Sequence, residues 1–274
     1  MHLSGLHIYP VKSLRGIAVA SAEVDAQGLV GDRRFLVTDL AGKFLTQRTL
    51  PRMALVETAL SVDALTLSTA GRPPVSVPRA SDPAAPLRTV SVWKADGLQA
   101  EDCGDAVAAW LSDFLATPVR LVRAGAAFHR PVNKPGKSRP DDVTTFADAQ
   151  PFMAIGEASL HDLNDRIVAR DEDPVPMNRF RPNLVFAGTA PFAEDTWSRF
   201  RINGIVFRAG GPCIRCILPT TDQLTAERGK EPLRTLATYR RVPESPADVI
   251  FGQNLYHEVK RGTLRVGDEV ELLA

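Results

Sequence analysis

Short segments in which apolar and polar residues alternate fill the first third of the chain. They are residues 5–13, 33–48, 55–71, 74–78 and 88–95. Pro10 ends the first segment, and Ala41–Gly42 is the expected turn of a hairpin within the second. Strands this short and this closely spaced are typical of a sheet or a barrel.

Residues 102–118 change to the helical period of 3.6 residues. The apolar positions that recur at i, i+3, i+4 and i+7 are Val107, Trp110, Leu111 and Phe114. Asp102 or Asp105 is the expected N-cap, and Pro118 lies just beyond the expected end.

The second half contains one more helix and then returns to strands. Ser159 followed by Asp162 resembles a capping box, and the buried stripe behind it is Leu160, Leu163 and Ile167. Asn203–Gly204 is the strongest available signal for a two-residue hairpin turn. Residues 262–274 predict a strand, a turn and a strand. The fold class predicted is mostly β (α+β) with a few helices.

Residues 129–142 interrupt this pattern. They hold three prolines and five basic or histidine side chains, and they have no apolar period. The segment predicts a loop, a linker or a lid, and a solvated connection is the simplest interpretation.

Composition restricts the possible functions. The chain has 274 residues, of which 44% are hydrophobic and 24% charged, with a formal net charge of +1. That charge gives no global basic field for nucleic acid, and no apolar run reaches the roughly 20 residues of a membrane span. The N-terminus does not resemble a secretory signal. Three cysteines make no disulfide framework, so we expect a cytoplasmic protein with reduced thiols.

Two of these cysteines, Cys213 and Cys216, form a C-x-x-C pair with several possible meanings. A structural zinc site needs about four ligands, and no second pair is present to complete one. A thioredoxin-like dithiol starts a helix, whereas Pro219 and β-branched residues follow here. Two inert buried thiols are the third possibility. Arg181, Arg208 and Arg215 argue against it, because positive neighbours favour the thiolate that binds metals or attacks.

Several motifs together resemble one known family. The segments GGPCIRCILPTTD, RFRPNLVF, KEPLRTLATYRR, FGQNLYHEV and GTLRVGDEVELL are similar to a MOSC domain, named for the C-terminal domain of molybdenum cofactor sulfurase. IYPVKSLRGI, GLVGDRRFLVTD and FLTQR resemble the β-barrel domain that precedes it in the mitochondrial amidoxime-reducing components and their bacterial relatives. The resemblance implies an N-terminal MOSC-type β-barrel domain over residues 1–120 and a MOSC β-barrel domain over residues 121–274.

The resemblance also implies a molybdenum–molybdopterin cofactor. In the family pattern the metal ligand is the cysteine directly before the run ILPTT, which maps to Cys216, and Cys213 occupies a less certain neighbouring position. A soft thiolate suits this metal. The cofactor-binding positions implied are Lys12, Ser13, Arg34, Arg181, Asn183 and Thr220. Arg33 is the less expected of the adjacent arginines, because on a strand it would point to the opposite face. Asp148 maps to an acid near the metal, where it could relay a proton.

The activity implied is the reduction of N-hydroxylated compounds, namely amidoximes, hydroxylamines and hydroxylated bases. Electrons would come from a separate ferredoxin, flavoprotein reductase or b-type cytochrome, and the basic loop 129–142 is a possible surface for an acidic partner. The alternative is a carrier of sulfur or of the cofactor that uses a persulfide on Cys216. A purely structural barrel is the third interpretation.

Overall fold

Strands make up most of the structure, a computed structural model that describes residues 1–273. The first eleven strands are β1 (His2–Ile8), β2 (Ile17–Ala18), β3 (Ser21–Asp25), β4 (Gly28–Leu29), β5 (Phe35–Thr38), β6 (Glu57–Leu60), β7 (Ala64–Thr69), β8 (Arg72–Pro78), β9 (Leu87–Val92), β10 (Ala95–Asp102) and β11 (Arg120–Arg123). The others are β12 (Phe152–Gly156), β13 (Leu184–Ala187), β14 (Arg199–Ile202), β15 (Ile205–Arg215), β16 (Arg241–Val242), β17 (Ser245–His257), β18 (Gly262–Arg265) and β19 (Val270–Leu273). Ala274, the last residue of the predicted C-terminal strand, lies outside the described residues.

Three α-helices lie among the strands of residues 1–273. They are α1 (Asp105–Leu115), α2 (Glu157–Val168) and α3 (Leu233–Tyr239). Short 3-10 turns occupy Pro51–Leu55, Met177–Arg179, Ala193–Thr196 and Leu218–Thr220. The mostly β fold with a few helices is therefore confirmed. None of the helices described is long and apolar enough to cross a membrane.

The largest sheet joins the two ends of the chain. Its order is β19-β14-β15-β17-β12-β13-β1-β2, with β16 paired to β17. Within it only the β12–β13 pair is parallel. The N-terminal strand β1 thus pairs with β13 of the second half, and β3 pairs with β18. The halves are interleaved, while the boundary near residue 120 stays a prediction.

Besides the three-stranded sheet β18-β3-β4, two smaller sheets belong to the first half. One has the order β5-β11-β10-β9 and the other β6-β7-β8. They enclose a core that α1 closes with Val107, Leu111 and Phe114, which are buried as the helical period predicts. Trp110 is half-buried and donates its indole N–H to the carbonyl of Pro73 at 2.7 Å.

The predicted helix caps are wrong. Gly104 and Gly156 are the N-caps of α1 and α2, and neither helix has a side-chain cap hydrogen bond. Asp102 instead pairs with Arg88 and Arg120. The hydroxyl of Ser159 is directed to Glu194, at 2.9 Å from Oε2. These side chains make long-range contacts, which local spacing cannot reveal.

The predicted hairpin over residues 33–48 is only half regular. β5 forms its first arm, and Gly42 takes the positive φ of 83° that the turn requires. The second arm makes isolated bridges, with Phe44 opposite Thr38 and Lys43 beside Ser91. This irregular arm leaves Arg48 free to turn toward the second half of the chain.

The hairpin at Asn203–Gly204 is confirmed. Asn203 has a φ of 44° and Gly204 a φ of 78°, and β14 pairs with β15 on either side. Positive φ at both central residues is the type I′ geometry that suits the twist of two strands.

Replacement of Gly204 by alanine should lower the free energy of unfolding by about 1–2 kcal/mol, because an L side chain is strained at positive φ. No heavy atom lies within 4 Å of the position that the new Cβ would take, so the cost is conformational. Chemical denaturation measures it. Gly229→Ala is the matched control: its position is also open, but its φ is not positive. A loss of equal size in the control would contradict the turn argument.

Candidate functional site

The two cysteines of the pair lie in different surroundings. β15 carries Cys213, and Cys216 follows directly after its last residue. Two bulges change the direction of the end of this strand. They lie between Ala209 and Gly211 and between Pro212 and Ile214. Cys213 packs against an apolar cluster that includes Phe180 and Phe251, and burial raises the pKa of its thiol.

Cys216 faces charged side chains instead. The Nε of Arg48 donates a hydrogen bond to its sulfur at 3.1 Å. The same guanidinium donates through Nη2 to Asp148 Oδ2, also at 3.1 Å. Asp148 in turn pairs with the ammonium of Lys12. Residues from three distant parts of the chain thus form a continuous polar network that ends on one sulfur.

Aromatic rings hold this network in place. The guanidinium of Arg48 lies over the ring of Trp93 at 4.4 Å, and the Trp93 indole N–H donates to Asp148 Oδ1 at 2.9 Å. Phe44 packs against Trp93 with ring centroids 5.0 Å apart. Cation–π contact together with two hydrogen bonds restricts the rotamers of Arg48 and Asp148.

The acid and the amine of this network titrate far from their usual ranges. Loss of hydration alone would raise the pKa of the Asp148 carboxyl, but the charges of Lys12 and Arg48 outweigh it and hold that pKa well below its usual range. Lys12 is buried, and burial lowers the pKa of its ammonium to about 8 even though Asp148 opposes the shift. Asp148 is therefore ionised at neutral pH, while Lys12 lies close to giving up its proton.

A second cationic group surrounds Tyr9. The guanidinium of Arg181 lies 4.2 Å from the centre of the Tyr9 ring, and that of Arg33 lies 4.4 Å from it. Arg181 donates to the carbonyl of Leu14 at 2.7 Å, while its Nη2 is buried and unpartnered. Burial, reinforced by repulsion from Arg33, lowers the pKa of Arg181 to about 10.

Positive charge exceeds negative charge among these side chains. Asp148 and Asp32 are the carboxylates that pair with cations here. The cations are Lys12, Arg33, Arg48, Arg130, Arg181 and Arg215. Arg130 and Arg215 donate to backbone carbonyls and form no ion pair within residues 1–273. Uncompensated buried cations destabilise a protein unless an anion binds among them.

An anionic cofactor with a soft metal fits these residues. Arg181 Nη2 and the hydroxyl of Thr221 are buried without partners and are free to bind an anion. Cys216 supplies one partly exposed thiol. Within residues 1–273 no three His, Cys, Asp or Glu side chains are grouped to hold a metal. A metal on Cys216 would therefore take most of its ligands from a non-protein molecule.

Sequence comparisons show what the chain is similar to. Residues 1–118 match the MOSC N-terminal beta barrel domain, and residues 141–271 match the MOSC domain. Mitochondrial amidoxime-reducing component 1 of Homo sapiens is 37% identical, with 98% of this chain and 82% of that protein covered. Mitochondrial amidoxime reducing component 2 of Bos taurus is 36% identical over the same share of each chain.

The chain belongs to the MOSC family. Molybdenum cofactor sulfurase of Danio rerio is another relative, at 35% identity. The alignment covers 98% of this chain but only 34% of the sulfurase. The family is thus shared by proteins of different overall construction.

The structure places four of the eight residues expected for a MOSC site in these two groups of side chains. Lys12, Asp148 and Cys216 belong to the network through Arg48, and Arg181 belongs to the group around Tyr9. Ser13 follows Lys12 with a φ of 66°, and its carbonyl accepts a hydrogen bond from Gln47 at 2.8 Å. These positions stay predictions as cofactor contacts.

Two further expected residues serve the scaffold in this structure. The amide of Asn183 accepts from Arg33 Nη1 at 2.9 Å and donates to the carbonyl of His7 at 3.2 Å, so it holds Arg33 in place. The hydroxyl of Thr220 donates to the carbonyl of Ile217 at 2.8 Å and closes the turn behind Cys216. Both residues are buried.

Arg34 does not join the cationic groups. It pairs with Asp25 at 2.7 Å and with Gln27, away from the side chains around Tyr9. Arg33 lies in the group around Tyr9 instead. Its φ of 45° shows that it is not in a strand, and β5 begins only at Phe35. The expectation that strand alternation turns Arg33 away was therefore wrong.

Arg48 was missed by the sequence reasoning. It ends the motif FLTQR, but no local pattern connects it with Cys216, which is 168 residues away. Only the contact itself identifies the residue.

Removal of Lys12 should change how stability depends on pH in cofactor-free protein. Its pKa is about 8 when folded and about 10.4 when unfolded. Between these values the unfolded state binds more protons, so stability rises with pH, and below about pH 8 the cost of the buried charge is fully present. The rise in unfolding free energy between these two pH values should be roughly 1–3 kcal/mol larger in the parent protein than in Lys12→Met. Denaturant unfolding at several pH values measures the difference, and equal slopes in the two proteins would contradict the assignment.

Proposed function

We propose that this chain binds a molybdenum–molybdopterin cofactor through Cys216 and reduces N-hydroxylated compounds with electrons from a separate protein. The observation that carries the proposal is the hydrogen bond from Arg48 to the Cys216 sulfur, set beside a cluster of cations with too few carboxylates. The donor would be a ferredoxin, a flavoprotein reductase or a b-type cytochrome, in the cytoplasm.

The relatives support the choice of reaction. Amidoxime-reducing components share 36–37% identity with almost the whole chain. The chemistry that such a cofactor supplies is a two-electron change coupled to transfer of an oxygen atom. What remains for the protein is binding, orientation and proton delivery.

The side chains divide these tasks. Lys12, Arg33 and Arg181 would hold the anionic part of the cofactor, and Arg181 Nη2 still has a free donor for it. Arg48 fixes the orientation of the Cys216 sulfur. Thr221 offers a second unpartnered group beside the cysteine turn.

Proton supply is the task of the Lys12–Asp148 pair. Reduction of an N–OH group to N–H with loss of water consumes two electrons and two protons. Asp148 is a poor acid, because its pKa lies well below the usual range. Lys12 has a pKa of about 8 and can release a proton from Nζ near neutral pH. Asp148 then acts as the carboxylate that positions this ammonium.

Replacement of each cysteine of the pair by alanine tests the proposal. Protein from a host that makes the cofactor should contain about one molybdenum per chain, and Cys216→Ala should contain almost none, since the thiolate is the protein ligand. Cys213→Ala is the matched control and should keep the metal, because its sulfur packs in the apolar cluster. Elemental analysis measures both.

Other results would contradict the reductase. Cyanide-releasable sulfur without molybdenum would indicate the carrier alternative, with a persulfide on Cys216. A Cys216→Ala variant that differs from the parent only in stability would indicate a structural role.

The two adjacent arginines provide a second test. Arg33→Gln should reduce the cofactor content about ten-fold or more, since such contacts typically change affinity by that amount. Arg34→Gln should keep the cofactor and lose about 0–1 kcal/mol of stability from the Asp25 pair. Molybdenum content and unfolding free energy are measured together, so that misfolding is not mistaken for lost binding. The opposite pattern would restore Arg34 as the cofactor ligand.

A further inference from the structure

We infer that the loop of residues 129–142 is the docking surface for an acidic electron-transfer protein. The inference rests on the proposed function, in which a separate protein supplies the electrons. It adds the place of contact and the chemistry of the partner.

The loop is held closed at its base, next to the site. Its base is closed by a bridge between Pro131 and Val143, and by hydrogen bonds from Val132 N to Asp142 O at 2.8 Å and from Thr144 N to Arg130 O at 3.0 Å. The buried guanidinium of Arg130 donates to the carbonyls of Thr145 and Ala147 at 2.8 and 2.6 Å. Asp148 of the Cys216 network follows directly. One continuous segment therefore contains both the loop and Asp148 of the site.

A buried acid fixes the rest of the loop. Asp142 is 2% exposed. It pairs with Arg208 of β15 and with Lys260 at 3.4 Å, and it accepts a hydrogen bond from the Arg139 backbone at 2.7 Å. Arg208 also donates to the carbonyl of Lys137. The loop is thus attached to β15 before any partner binds, which lowers the entropy lost on binding.

The outer face of the loop carries positive charge that the chain does not neutralise. Lys134 and Lys137 are exposed, and no carboxylate of residues 1–273 forms an ion pair with either. Arg139 is 55% exposed and shares Glu258 with Arg199. The chain as a whole has a net charge of only +1, so this surface is a local concentration of cations.

A cavity of about 510 Å³ lies beneath these cations. The charged side chains that line it are all basic, namely Lys137, Arg139 and Arg208. Acidic side chains of a partner fit such a cavity, whereas an apolar partner segment would leave the cations desolvated and unpaired. The partner chemistry indicated is a carboxylate-rich face.

The surface is close to the redox centre proposed. The Nζ of Lys137 lies 2.5 Å from where a Cβ on Gly211 would be, so the end of this lysine side chain lies against β15 at Gly211. Cys216 follows Gly211 by five residues. At about 3.3 Å per residue the two are separated by at most roughly 16 Å. A donor bound at Lys137 would therefore be near the cysteine that holds the metal.

Charge reversal tests the docking surface. Cofactor-loaded Lys134→Glu/Lys137→Glu protein is compared with the parent, using a plant-type [2Fe–2S] ferredoxin as donor and benzyl viologen as a small artificial donor. The kcat/KM for ferredoxin should fall about ten-fold or more at low salt, because opposite rim charges steer association. The difference in kcat/KM between the two proteins should shrink at about 0.5 M salt, because salt screens the charges that steer association. Turnover with the viologen should be unchanged.

A matched variant separates local from global charge. Arg170→Glu/Arg265→Glu changes the net charge by the same amount at exposed positions outside the loop. It should keep the parent rate with ferredoxin. An equal loss in this control, an unchanged rate in the loop variant, or a parent that accepts electrons from the viologen but not from ferredoxin would overturn the docking surface. A cofactor-loaded parent that reduces no N-hydroxylated substrate even with the viologen would overturn the proposed function itself.

Discussion

The structure depends on the compensation of buried positive charge. Asp148 accepts hydrogen bonds from Lys12, Arg48 and Trp93, and it holds together residues that the chain supplies from both of its halves. Asp148 and Asp32 cannot neutralise all of the surrounding cations, so the cofactor-free fold bears an electrostatic cost that the hydrophobic cores must outweigh. The interleaved sheets make this possible, because β1 pairs with β13 and so brings the Lys12 segment against the Arg181 segment. An anionic ligand would then stabilise the fold as well as supply the chemistry.

Part of the backbone strain lies at the same place. Ser13, Arg33 and Arg181 all have positive φ, at 66°, 45° and 57°. None is glycine, and each costs about 1–3 kcal/mol that the surrounding structure must supply. In return the backbone turns sharply, so that two guanidinium groups stack on the single ring of Tyr9. Two strained arginines on one aromatic ring form a fixed cationic group of the kind that an anion-binding site would require.

The sequence predicted the elements well and the contacts poorly, for physical reasons. Alternation and helical period depend on neighbouring residues, so the strands, α1 and the Asn203–Gly204 turn could be located. The prediction that Ser159 caps α2 was wrong because its hydroxyl interacts with Glu194, which is 35 residues away. Arg34 was preferred to Arg33 because alternation was assumed where the backbone has positive φ. Family resemblance placed Cys216, Lys12 and Asp148, while Arg48 became visible only through its contact with the sulfur.

The different surroundings of the two cysteines decide among the possible meanings of the pair. A redox dithiol needs two sulfurs that can attack each other, with at least one readily ionised. Here Cys213 packs among apolar side chains that raise the pKa of its thiol, while Cys216 faces Arg48. A zinc site would need further thiol or imidazole ligands, and none is grouped with them in residues 1–273. The arrangement therefore leaves the Cys216 sulfur as the one thiol of the pair that a charged side chain contacts. The cations beside it would favour an anionic ligand. The two cysteines of the C-x-x-C motif thus have different neighbours, because Cys216 contacts the polar network while Cys213 packs, partly buried, against the apolar cluster.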